Sequence, residues 1–141
     1  MDRLKVKGYV RLRKNGLLIR EGRNLVVATG ENFIANMIGS TDTAMTHMAI
    51  GNGGTATSSG MTALQGTEIE RQLLSGVTVN ANVVTWSASF GSLLSITSTV
   101  REVGIFNAAS VGTMLARFIC AGFSLSPGET LDVDWSLAFG D

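Results

Sequence analysis

Few residues of this chain have the type and spacing to do chemistry, and the most suggestive of them sit together in MTHMAIGNGGTATSSG, residues 45–60. This stretch holds the chain's one histidine, His47, followed by Gly51, Gly53 and Gly54. A phosphate-cradling loop needs GxxxxGK[ST], whose lysine reaches the phosphates, and a dinucleotide fingerprint needs GxGxxG opening a helix. GNGGTATSSG has no lysine, and no amphipathic helix follows it. Nucleophilic catalysis would have to join His47 to one of the many Ser or Thr hydroxyls and an acid such as Asp42, and no GxSxG elbow frames any serine. The plainer expectation is a strand from Met45 to Ile50 that places Met48 and Ile50 on one face and Met45, His47 and Ala49 on the other. His47 would then make one hydrogen bond, and a flexible glycine-serine loop would follow.

The remaining acids and the thiol carry no stronger pattern. Asp132 and Asp134 share one strand face without a calcium-loop spacing, and Cys120 is the only cysteine, so neither metal ligation nor a disulfide framework is indicated. Glu68, Glu70 and Glu102 could supply the paired carboxylates of a glycosidase, as almost any chain with eleven acids could. The sequence therefore reads as a non-enzyme with no catalytic, metal or cofactor site.

Charge is more informative. The formal net charge is zero, yet residues 1–23 carry eight Lys/Arg against Asp2 and Glu21, while residues 24–141 carry three against nine acids. In RLKVKGYVRLR the charges alternate: Arg3, Lys5, Lys7, Tyr9, Arg11 and Arg13 fall on one face of a strand and Leu4, Val6, Val10 and Leu12 on the other. This basic face is the one candidate contact surface, seated either on an acidic neighbouring subunit or on Asp132 and Asp134 of the same domain. A single interleaved aromatic gives nucleic-acid binding little support. By contrast, the 29 residues from Gln72 to Val100 contain no charge, a bareness that suits contact with other subunits or a surface solvated by hydroxyls.

These residues must be positioned by elements that read mostly as β. An Asn15-Gly16 turn follows the basic strand and signals a hairpin. VVTWSASF and LDVDWSLAF alternate so that Trp86 and Trp135 face inward, with Val84, Ala88 and Phe90 beside the first and Leu131, Val133, Leu137 and Phe139 beside the second. TVREVGIFNA and GTMLARFICAGF form a second hairpin, which ends at Pro127-Gly128. One helix is expected over about residues 30–39, started by Thr29 or Gly30, with Phe33, Ile34, Met37 and Ile38 as its apolar face and Gly39 as its stop. LQGTEIERQLL is open between strand and helix. Seven or more short strands with frequent glycine turns and no βαβ rhythm imply one mainly β domain, an antiparallel sandwich or jelly-roll-like fold, with residues 1–14 a basic strand that could lie as an arm on a neighbouring subunit. No segment has the length and apolarity of a spanning helix or the build of a signal peptide, so a soluble protein made in a cytoplasm is expected.

The order of EGRNLVVATGENFIANMI, THMAIGNGGTA, LQGTEIERQLL and REVGIFNAASVGTMLARFICAGFSLSPGETLDVDWSLAFG resembles a family of small structural proteins of tailed bacteriophages, over roughly residues 3 to 140. The most specific pieces are Asn24-Leu25-Val26-Val27, His47 to Gly51, Gly104 to Ala108 and Thr113 to Arg117. The resemblance implies a virion component without catalytic residues: a capsid decoration (cement) protein, or a tail, neck or baseplate component. A small domain without a shaft favours a homo-oligomeric cement protein, a trimer, on the outside of the shell between capsomers. Its partner would be the major capsid protein, with no membrane or nucleic-acid partner, and Arg3, Lys5, Lys7, Arg11 and Arg13 would make the contact. A glycan-binding module is a third reading, and it wants exposed aromatics.

Overall fold

The structure is a computed structural model that describes residues 5–39 and 44–140. Arg3 and Leu4 of the basic strand and Asp42 beside the histidine strand lie outside the described residues. The chain folds as an antiparallel β-sandwich of two five-stranded sheets with one helix. In chain order the elements are β1 (Val6–Lys14), β2 (Leu17–Arg23), β3 (Leu25–Val26), α1 (Ala28–Ile38), β4 (His47–Gly51), β5 (Glu68–Leu73), β6 (Gly76–Asn80), β7 (Val83–Phe90), β8 (Ser98–Phe106), β9 (Met114–Leu125) and β10 (Leu131–Phe139). The first sheet runs β2-β1-β10-β7-β6 and the second β3-β9-β8-β4-β5.

Alternation decides which residues enter the core of the first sheet. Val10, Trp135, Trp86 and Val77 are successive cross-strand neighbours, and Leu12, Val133 and Ala88 form the next row. Leu131, Val133, Trp135, Leu137, Ala88 and Phe90 are buried and Trp86 nearly so, as the pattern predicts. Both tryptophans face inward. The indole N–H of Trp135 donates to Asn24 Oδ1 at 3.1 Å, which fixes the residue where the chain steps from β2 in one sheet to β3 in the other.

The two expected hairpins form. Asn15 and Gly16 both have positive φ, 50° and 83°, the left-handed pair that a two-residue turn between twisted strands requires. LQGTEIERQLL resolves as strand β5, paired with β4. The basic strand lies inside this chain's own sheet, between β2 and β10, so residues 6–14 are a central strand and do not form an arm reaching a neighbour.

The helix starts earlier than the sequence indicates, at Ala28, with Val27 as N-cap and no side-chain cap bond, and it ends at Ile38 with Gly39 as the C-cap, as the sequence indicates. Thr29 does not cap it, because its hydroxyl donates to the Met114 carbonyl at 2.9 Å. Gly30 is buried where a Cβ would overlap the Leu115 carbonyl, so it marks close packing of α1 on β9 instead of a helix start. Phe33 is buried and Ile34 packs on the core, but Ile38 is 81% exposed. Half of the predicted apolar face is therefore uncovered.

Candidate functional site

The glycine stretch is the natural place to look for a site, and its surroundings show what holds it. MAIG of β4 and VGIF in the second half of β8 are continuous runs of small and apolar residues, and both are buried throughout, as in strands covered on both faces. Met48, Ile50, Val103 and Ile105 enter the main core, while Ala49 and Phe106 join Val27 and Met114 in a second, smaller cluster against Met61 and Leu64. The segment 52–66 thus lies over the outer face of the second sheet as a partial third layer. Met45, expected beside Ala49, instead precedes the strand and packs into the main core.

Beneath that loop lies a buried ion pair. Arg117 Nε is 2.9 Å from Glu102 Oε1, and both side chains are fully buried. Glu102 also accepts the backbone N–H of Gln65 at 2.7 Å, of Gly53 at 2.7 Å and of Gly66 at 2.8 Å. Arg117 donates to the carbonyls of Thr55 at 2.7 Å and Gly53 at 3.1 Å and to the Thr57 hydroxyl at 2.8 Å. A Cβ on Gly53 would overlap both the Gly66 amide and the Glu102 carboxylate, so glycine is required there by close approach. The loop after β4 is pinned at both flanks by one charge pair, in place of the flexible loop the composition suggests. Burial of two charges is tolerated because each finds several partners.

The other acids with candidate roles are similarly engaged. Glu70, nearly buried, accepts the amides of Gly91 at 3.1 Å and Leu93 at 3.3 Å and the Gln72 side chain at 2.8 Å, and so ties β5 to the start of the β7–β8 loop. Glu68 pairs with Arg71 at 2.7 Å. Arg71 lies over the Phe106 ring at 4.0 Å and donates to the carbonyls of Ala108 and Val111, which holds the β8–β9 turn. The Thr46 hydroxyl and His47 Nδ1 are 2.7 Å apart. Burial first, then the Arg71 charge, lowers the pKa of His47 from its ordinary value of 6.5.

On the basic face, β1 register explains the charge pattern. Arg11 stands opposite Asp134 and Arg13 opposite Asp132 on β10. Arg13 reaches diagonally to Asp134 at 2.6 Å, and Asp134 and Asp132 also accept the hydroxyls of Ser87 and Ser89. Arg11 lies 3.9 Å from Glu21 and over the Tyr9 ring. At this end the basic residues are met within the chain. At the other end Lys7 is exposed and forms no ion pair among the described residues, and Lys5 is exposed beside it. Of the predicted contact residues the fold therefore groups Lys5 and Lys7 apart from Arg11 and Arg13.

Two surface hollows complete the picture. One of about 390 Å³ lies between α1 and the first sheet and is almost wholly apolar, with Ile34, Met37, Val84, Trp86 and Leu137 among its walls. Another, of about 510 Å³, opens between β5, β8 and the β7–β8 loop, walled by Asn52, Thr67, Ile96, Thr97 and Arg101 among others.

The sequence misses the Glu102–Arg117 centre as a unit. Its signal is present in part: Arg117 stands between Ala116 and Phe118 in MLARFIC, whereas Glu102 follows Arg101 in VREVGIF and so does not stand out as a lone charge in an apolar run. Pairing them needs the β8–β9 register, which sets Gly104 opposite Arg117.

What the fold defines is a two-sheet antiparallel β-sandwich whose buried charges hold loops in place. Comparison with protein-family models, with curated proteins and with solved structures finds no match to this chain.

Proposed function

We propose that the chain is a structural protein of a tailed-bacteriophage virion, a capsid decoration protein that binds the outside of the assembled shell and stabilises it. The observation that carries this reading is the surface. Large apolar side chains stand out at both ends of one small domain: Leu17, Leu93 and Ile96 at the end where the β1–β2 turn and the β7–β8 loop meet the β9–β10 turn, and Val111 in the β8–β9 turn at the other, each 69% exposed or more. Scattered single apolar residues are ordinary, but such residues at both ends suit a domain with several neighbours. The resemblance of its order of sequence segments to small phage structural proteins supports the same reading, and so does the use of Glu70, Glu102 and Arg117 to hold loops. The major capsid protein is the proposed partner, and self-association the proposed state.

The mechanism is mass action. A ligand that binds only the assembled shell stabilises it in proportion to occupancy, and many modest contacts per shell reinforce one another. Lys5 and Lys7 are the basic residues we assign to acidic capsid surface, with Arg3 in the same alternation. Arg11 and Arg13 act within the domain against Glu21 and Asp134.

The test is a binding assay on purified particles lacking the protein. Lys5→Glu/Lys7→Glu should weaken binding at least tenfold and leave the fold intact, since both side chains are exposed. Unchanged binding removes the assigned role of the basic end. A tail, neck or baseplate location is the second reading, favoured by the same uncovered apolar surface. Burial of Trp86 and Trp135 withdraws both tryptophans as stacking platforms for a glycan.

A further inference from the structure

We propose that β6 is a self-docking edge: two copies of this chain pair antiparallel through Gly76–Asn80 about a twofold axis at Thr78, joining their first sheets into one continuous sheet.

Edge strands offer unpaired backbone groups, and folded proteins guard them with charge, proline or brevity. Three of the four sheet edges here are guarded. β2 carries Arg20, Glu21 and Arg23, β5 carries Glu68, Glu70 and Arg71, and β3 is two residues long. β6 has none of these devices. It reads GVTVN, all five residues are exposed, and it lies within the charge-free run from Gln72 to Val100. Val, Thr and Val are good strand formers.

The backbone groups on this edge can be assigned. The two-residue turn at Ala81-Asn82 makes Asn80 and Val83 the closing pair of the β6–β7 hairpin, and such a pair is hydrogen-bonded. Pairs alternate from there, so Gly76, Thr78 and Asn80 direct their N–H and C=O groups to β7, and Val77 and Val79 direct theirs outward. An antiparallel copy centred on Thr78 sets Val77 opposite Val79 of the second chain and Val79 opposite Val77. Every outward group of both valines is then satisfied by four cross-chain hydrogen bonds. The register is its own mirror under the twofold, which is what an isologous contact needs.

Side chains agree with that register. Val77 and Val79 lie on the inner face with Trp86 and Val84, yet are 52% and 73% exposed. In the pair, the row Val10–Trp135–Trp86–Val77 continues into Val79 of the second copy, and Val84, a wall of the apolar hollow, lies one row along. Thr78 meets Thr78 on the opposite face, a favourable cross-strand pair. With no charge on the strand, nothing opposes like against like. A second copy therefore meets this edge in full, in hydrogen bonding, apolar contact and charge.

The pairing belongs to the free protein and does not depend on the virion reading. Light scattering on the full chain should give twice the 14.8 kDa mass of one chain. Val79→Lys, which places a guarding charge on an exposed position, should halve that mass with unchanged circular dichroism. In a Cys120→Ser background, Thr78→Cys should form a disulfide-linked dimer on mild oxidation, because a residue on the axis faces its own copy in a non-hydrogen-bonded pair with Cα atoms about 4.5 Å apart. Asn80→Cys should not, since it faces Gly76. A mass of one or three chains for the unmodified protein, a doubled mass retained by Val79→Lys, or equal cross-linking of Asn80→Cys and Thr78→Cys would overturn the proposal.

Discussion

Glu102 and Arg117 show what a single buried charge does in this chain. Each is useful only with the other present, since removal of one leaves its partner buried and unpaired at a cost of about 3–5 kcal/mol. Glu102→Ala or Arg117→Ala should therefore lower unfolding free energy by about that amount, measured by urea denaturation, and should open the segment 52–66 to protease. A loss below about 1 kcal/mol would mean that the loop is held by something else. His47 gives a second prediction at the same scale. Its folded pKa is depressed, by burial and by Arg71, so the unfolded chain takes up the proton first as pH falls. Stability from this residue is fully present above the ordinary value near 6.5 and is lost as pH drops through the lower folded value. Thermal midpoints at neutral and mildly acidic pH should differ more for the unmodified chain than for His47→Gln, and equal differences would discount the effect. The role of His47 as a strand residue with one polar neighbour was legible from its surroundings in THMAIG. The loop's rigidity was not, because it depends on residues roughly fifty positions away.

At the scale of elements, legibility followed period and failed at closure. Strands with alternating patterns, β7 and β10, declared their inner faces, and the Asn15-Gly16 turn declared its hairpin. β5 did not, because GTEIERQLL supports either period and only pairing with β4 decides it. The start of α1 was misread for a related reason. Gly30 looks like a terminus signal, and its real role is contact with the Leu115 carbonyl, which no local pattern reveals. Gly30→Ala should destabilise the fold by about 1–3 kcal/mol through that overlap, although alanine is the better helix former. A stabilised Gly30→Ala protein would show that α1 can shift away from β9. The placement of β1 also limits what mutants can teach. Deletion of residues 1–14 would remove a central strand and unfold the sheet, so charge substitutions at Lys5 and Lys7 are the informative change.

For the molecule as a whole, charge separation in sequence turns out to be partly neutralised in space. The acids of β10 and β2 meet Arg11 and Arg13, while at the other end of β1 Lys7 is exposed without an ion pair among the described residues. Salt should accordingly weaken particle binding, because exposed charge contacts are screened within about 10 Å at 0.1 M ionic strength, while the apolar surfaces would be insensitive to it. Binding unchanged by salt would assign the contact to apolar residues such as Leu93 and Ile96. The claim that all of this serves, membership of a capsid surface, is tested most directly by counting copies in purified virions by quantitative mass spectrometry against the major capsid protein. The decoration reading predicts on the order of hundreds of copies per particle, as repeated shell sites require. A count of about six or twelve, the number a tail or neck ring would hold, would contradict it.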